Sequence, residues 1–105
     1  MLNRVLIIVL VVLCVSCSGV ALASADAVKG QALSDLCVDC HGDDGLGDDE
    51  VPAIAGMDEA AMRKELGDFK SGARVDEYED MAETAADRSE QDIKDLAAFY
   101  SALSK

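Results

Sequence analysis

The chain has 105 residues, room for one small domain, and sets 21 acidic side chains against nine basic ones, a formal charge of −12. A surface that negative makes nucleic acid and anionic membrane surfaces poor partners, since both would be repelled. It suits a protein partner with a basic docking surface or a high-salt habitat, and it serves equally well as a merely solubilising surface.

The first quarter of the chain does not read as part of the domain. Arg4 supplies a short positive start, Val5 to Leu13 is unbroken apolar sequence, and two Ala-x-Ala sites follow at Ala21–Ala23 and Ala23–Ala25. This is the pattern of a secretory signal peptide over residues 1–25. Cleavage after Ala25 leaves a domain over 26–105 that keeps eight of the basic residues and all 21 acidic ones. Two other readings compete. The uncharged stretch from Val5 to Ala25 meets the need for about 20 apolar residues to cross a bilayer, so an uncleaved anchor is one. Lipidation at Cys17 is the other, a weak one because Cys14 stands where a lipoprotein site has leucine. Each reading places the domain outside the cytoplasm, the first in the periplasm. Cys14 and Cys17 lie inside the apolar segment with no histidine after them and are set aside as leader residues.

From Asp26 to about Leu36 the sequence predicts a short helix, with Asp26 as its cap and Ala27, Ala32, Leu33 and Leu36 as a partial apolar face. Gly30 inside it costs about 1 kcal/mol relative to alanine and points to close approach by another element. Gly42 to Gly56 is rich in glycine and acid and reads as loop. Its acidic residues lack the ligand spacing of a calcium-binding loop, which favours a solvated acidic surface. A second helix is expected from Asp58 to about Lys70, with Met62, Leu66 and Phe69 facing the core and Gly72 closing it. Arg74 to Arg88 is polar and acidic, with Tyr78 and Met81 its notable apolar residues. Ser89, with Asp92 three residues on, opens the last helix, whose Ile93, Leu96, Ala97, Tyr100 and Leu103 form the clearest apolar face in the chain. No stretch alternates as a strand does, so the fold class is all-α.

Between the first helix and the loop lies Cys37-Val38-Asp39-Cys40-His41. Two thiols three residues apart share one side of a helical turn, where both can form thioethers to one porphyrin, and the histidine that follows can ligate its iron. A thioredoxin-like pair would need a βαβ setting. A zinc site would need about four ligands, and beyond His41 and the two thiols only carboxylates remain. A plain Cys37–Cys40 disulfide leaves the histidine unexplained. The sequence therefore implies one covalently bound haem c, attached through Cys37 and Cys40 with His41 on the iron. Four aromatic residues and no tryptophan make a thin core, and domains this small often depend on a cofactor for stability.

His41 is the only histidine, so two histidines cannot ligate the haem within one subunit. The sixth position falls to Met, Lys, water or nothing. Met62 belongs to a core stripe and Met57 lies only sixteen residues beyond His41. Met81, forty residues beyond it, has enough chain to pass round the haem edge, and spacing favours it.

From Asp26 to Lys105 the chain resembles a class I c-type cytochrome of the small bacterial group that includes cytochrome c553 and the halves of cytochrome c4. The likeness rests on Gly30, on Cys37 to Gly42, on Pro52-Ala53-Ile54-Ala55-Gly56, on Phe69 to Arg74, and on Ser89 through Asp92-Ile93 to Tyr100. It implies a small class I cytochrome c fold, three to five helices around one haem. In that family the axial methionine lies just before the last helix, which selects Met81. The likeness further implies that the Pro52 carbonyl orients His41, a role that fixes a ligand's tautomer. It implies that Gly30 and Phe99 meet where the first and last helices cross, and that Arg74 sits near a propionate. The chain departs from the family around the methionine, where Glu79, Asp80 and Glu83 replace the usual methionine or proline.

The expected function is that of a periplasmic monohaem cytochrome c, a one-electron carrier with no catalytic residues of its own. A competing reading is the haem subunit of a flavocytochrome c sulfide dehydrogenase, which Pro52 to Arg74 also resembles and which would take electrons from a flavoprotein chain. A ligand-sensing haem protein is a third, and it would need an open iron site and a signalling domain.

Overall fold

The computed structural model describes residues 24–105. The apolar segment with Arg4, Cys14 and Cys17, and with it most of the expected leader, lies outside the described residues. Within them there are five helices and no strand: α1 (Ala27–Leu33), α2 (Asp35–His41), α3 (Glu59–Ser71), α4 (Asp80–Ala86) and α5 (Glu90–Ser101).

Asp26 caps α1, its carboxylate accepting from the Val28 and Lys29 amides. The helix ends sooner than the sequence suggests. The Ser34 hydroxyl donates to the Gln31 carbonyl at 2.6 Å, and this local bond competes with the helix ladder. The chain turns there and starts again as α2, so the single expected helix is two short ones. The second carries Cys37, Cys40 and His41.

The middle of the chain follows local rules. Asp58 caps α3 by accepting from the Ala61 amide, and Gly72, left-handed at φ 81°, closes it. Met62, Leu66 and Phe69 are the buried residues of α3. Helix α4 occupies the polar stretch where no helix was expected. Met81-Ala82-Glu83-Thr84-Ala85-Ala86 is short but made mostly of good helix formers, and Ala85 is buried. The Lys70 ammonium donates to the Ala86 carbonyl at 3.0 Å and ties the end of α3 to the end of α4.

Helix α5 is the central element, packed against both α1 and α3. Ser89 and Asp92 form a reciprocal capping box at its start. Ile93, Leu96, Ala97 and Tyr100 join Met62 and Leu66 in the core. Replacing Ser89 with alanine removes the cap from the helix that carries most of that core. The expected loss is about 1 kcal/mol, read as a melting temperature lower by about 4–8 °C.

Gly30 is where α1 and α5 meet. A Cβ there would overlap the Asp95 carbonyl oxygen and lie 2.8 Å from the Phe99 Cβ. The glycine lets the two backbones touch. Beside it the Asp95 carboxylate, 2% exposed, accepts from the Asp26 amide at 2.8 Å and from Gln91 at 2.9 Å.

Candidate functional site

Helix α2 places Cys37 and Cys40 one turn apart as free thiols, Cys37 half-buried and Cys40 exposed. His41, the last residue of α2, is 6% exposed. Its Nδ1 lies 2.8 Å from the Pro52 carbonyl oxygen. A carbonyl can only accept, so Nδ1 carries the proton and donates, and Nε2 is left with its lone pair free for a metal.

The loop from Gly42 to Met57 is tied to this end of α2. The Gly47 amide donates to the His41 carbonyl at 2.8 Å, and the Ile54 and Ala55 amides both donate to Gly45. Two of its acidic residues are spent on local turns. Asp48 accepts from the Glu50 and Val51 amides, and those bonds, with Val51 first, hold its carboxyl below the ordinary value. Asp44 accepts from Leu46 in the same manner.

The three methionines fall in different places. Met62 is buried in the core. Met57 and Met81 are both partly buried against that core, as is Cys37. Met57 belongs to the loop fastened to His41, whereas Met81 arrives on α4, a separate segment whose Met81 amide donates to the Asp76 carboxylate at 3.4 Å. Glu79, at the start of α4, has φ 60°, a left-handed conformation that is uncommon for a residue with a side chain.

Arg74 pairs with Glu65 on α3 and lies over the Phe69 ring, 4.8 Å from its centroid. Two residues that the sequence reading did not single out for the site stand closer to the thiols. Tyr100, 1% exposed, turns its hydroxyl toward Cys37 and Ser34 without a close hydrogen bond to either, and among the described residues the buried Arg88 Nε has no partner. Both act on Cys37. Burial pushes the Cys37 thiol up, while the Tyr100 hydroxyl and the Arg88 charge draw it partly back. Burial also holds the Tyr100 hydroxyl well above its ordinary value, with the neighbouring Cys37 adding to the effect. Unpaired buried polar atoms are rare in finished proteins. Two of them near the Cys37 thiol fit a polar-edged prosthetic group as the missing partner. No local pattern marks these residues, because Tyr100 counts as core and Arg88 as surface until the fold brings them to Cys37.

An all-α domain with a Cys-x-x-Cys-His helix, a proton-donating Nδ1 on that histidine and a methionine arriving from a separate segment defines a covalent haem protein of the c type. The chain belongs to the cytochrome c family, whose family model matches residues 27–104, and membership brings covalently bound haem c. It is similar to cytochrome c4 of Pseudomonas aeruginosa, 34% identical over 93% of this chain and 47% of the relative. It is also similar to the cytochrome subunit of sulfide dehydrogenase of Chlorobaculum tepidum, 32% identical over 73% of this chain and 68% of the relative. Among solved structures, reduced cytochrome c4 from Pseudomonas stutzeri superimposes with a TM-score of 0.71 at 28% identity, covering 80% of this chain and 53% of that one. The chain thus spans about half the length of the cytochromes c4 it matches.

Proposed function

We propose that the protein is an exported, periplasmic monohaem cytochrome c that passes single electrons between redox proteins, with its iron held between His41 and Met81. The observation that carries this reading is the bond from His41 Nδ1 to the Pro52 carbonyl at 2.8 Å, which leaves Nε2 as a fixed, neutral ligand. When bound, haem c supplies a one-electron ferric–ferrous couple. Cys37 and Cys40 would hold it covalently, and Tyr100 and Arg88 would offer it hydrogen-bond donors. The thioether of Met81 would be the second protein ligand to the iron, which would suit electron transfer and deny the iron to substrates. Glu79, Asp80 and Glu83, close to Met81 in the chain, favour the ferric state and lower the potential. A strongly acidic surface selects partners with a basic docking face. Among the described residues no helix is long and apolar enough to cross a membrane.

Spectra of the purified holoprotein test the ligand pair. The oxidised form should show the band of sulfur–iron ligation, and the reduced form should not bind CO. Met81→Ala should lose the band and bind CO readily, while Met57→Ala keeps the first and refuses the second. A wild-type protein that binds CO, or a Met57 variant that behaves as stated for Met81, would overturn the assignment.

The likeness to a sulfide dehydrogenase subunit favours a second reading, in which a flavoprotein chain delivers the electrons. Co-purification with a flavin-containing chain would support it, and migration as a lone monomer at physiological salt would count against it.

A further inference from the structure

A buried carboxylate is costly unless a cation or several donors answer it. Asp95 lies in the crossing of α1 and α5, 2% exposed, and accepts two neutral N–H bonds, from the Asp26 backbone nitrogen at 2.8 Å and from Gln91 at 2.9 Å. The first of those donors lies just past the second Ala-x-Ala site, which ends at Ala25. Hydrolysis of the Ala25–Asp26 bond consumes one water: the C–N bond breaks, Ala25 leaves as a carboxylate, and the Asp26 nitrogen takes up protons to become an ammonium. The atom that carries the new charge is the one already aimed at Asp95.

We propose that cleavage after Ala25 turns the Asp26–Asp95 hydrogen bond into a half-buried ion pair that locks the new N-terminus onto α5. This rests on the export reading above and adds to it a structural purpose for the position of the cut. A free ammonium at the start of a helix ordinarily opposes the helix dipole. Here the Asp26 side chain, which caps α1, and the Asp95 carboxylate both offset it. Burial by itself would push the Asp95 carboxyl up, but the bonds from Asp26 and Gln91 and the charge of Lys29 outweigh it and leave it below the ordinary value. Its contribution to stability is therefore present above the unfolded value of about 3.9 and lost as pH falls through the lower native one. The ammonium strengthens that contribution, since charge-assisted bonds are about twice as strong as neutral ones.

The full-length chain, exported and loaded with haem in a bacterial host, provides the test. Intact-mass measurement should place the N-terminus at Asp26. NMR titration of the α-amino group should show an acid dissociation constant at least about tenfold below that of an ordinary amino terminus, whose pKa is about 7.7–8.0. The charged groups facing the amine are the Asp26 carboxylate and Lys29 on the α1 side and Asp95 on α5, with Gln91 as a neutral neighbour. Asp95→Asn should return the constant to the ordinary range. If that variant does not fold, the wild-type titration decides alone. An N-terminus at another residue, or an amine with an ordinary constant, would overturn the pairing. The haem spectrum of the same sample reports separately on whether the cytochrome reading stands.

Discussion

Replacing Cys37 and Cys40 together with alanine is expected to leave an exported chain without stable structure, losing essentially all of the roughly 5–15 kcal/mol that holds an ordinary domain. The described core accounts for this. Its buried apolar residues are Ala55, Met62, Leu66, Phe69, Ala85, Ile93, Leu96, Ala97 and Tyr100, three of them alanines. A domain of this size buries a smaller share of its surface than a larger one and sits at the margin of stability without a staple. Cys37, Met57 and Met81 lie against the core half-covered, and the unpartnered atoms of Tyr100 and Arg88 remain a cost of about 1–3 kcal/mol each until something pairs with them. Bound haem would supply both the apolar bulk and the polar partners. Far-UV circular dichroism and limited proteolysis check the outcome, and a cooperative melt of the double variant would refute it. A single Cys40→Ala change keeps one thioether and His41, so it should retain haem and fold while melting earlier.

Much of this molecule was legible where chemistry is local. Asp58, Gly72 and the Ser89–Asp92 pair mark helix ends because capping involves atoms within a few residues of each other. The faces of α3 and α5 follow from apolar spacing alone, and Cys37 to His41 announces its cofactor by sequence. The close approach expected at Gly30 is present, against Asp95 and Phe99. What escaped was decided elsewhere in the chain. Asp95 reads as a surface charge between Ile93 and Leu96, and only the arrival of α1 buries it. The break at Ser34 comes from one hydroxyl that prefers the Gln31 carbonyl to solvent. Helix α4 is seven residues long, too short for periodicity to show. Tyr100 and Arg88 gain a meaning for the site only beside Cys37, more than 45 positions away in sequence.

The sharpest test of the helix crossing is a pair of identical substitutions with opposite expected signs. Gly30 and Gly67 both lie inside helices, α1 and α3. Helix propensity alone predicts that alanine at either position stabilises by about 0.5–1 kcal/mol, through lower backbone entropy in the unfolded chain. At Gly67 a Cβ meets nothing within 4 Å, so the gain should appear in full. At Gly30 the new methyl would overlap the Asp95 carbonyl oxygen, lie 2.6 Å from the Asp95 carbonyl carbon and 2.8 Å from the Phe99 Cβ. Two of those three atoms are backbone and cannot rotate aside, so α1 and α5 must separate. Overpacking of that kind costs about 1–3 kcal/mol or somewhat more, which exceeds the propensity gain and reverses its sign. Separation would also stretch the bond between the Asp26 nitrogen and the Asp95 carboxylate, one turn away from the contact. Gly30→Ala should therefore melt well below the parent holoprotein and Gly67→Ala slightly above it. Two variants that shift together in the same direction would show that α1 and α5 do not rest on each other through this glycine.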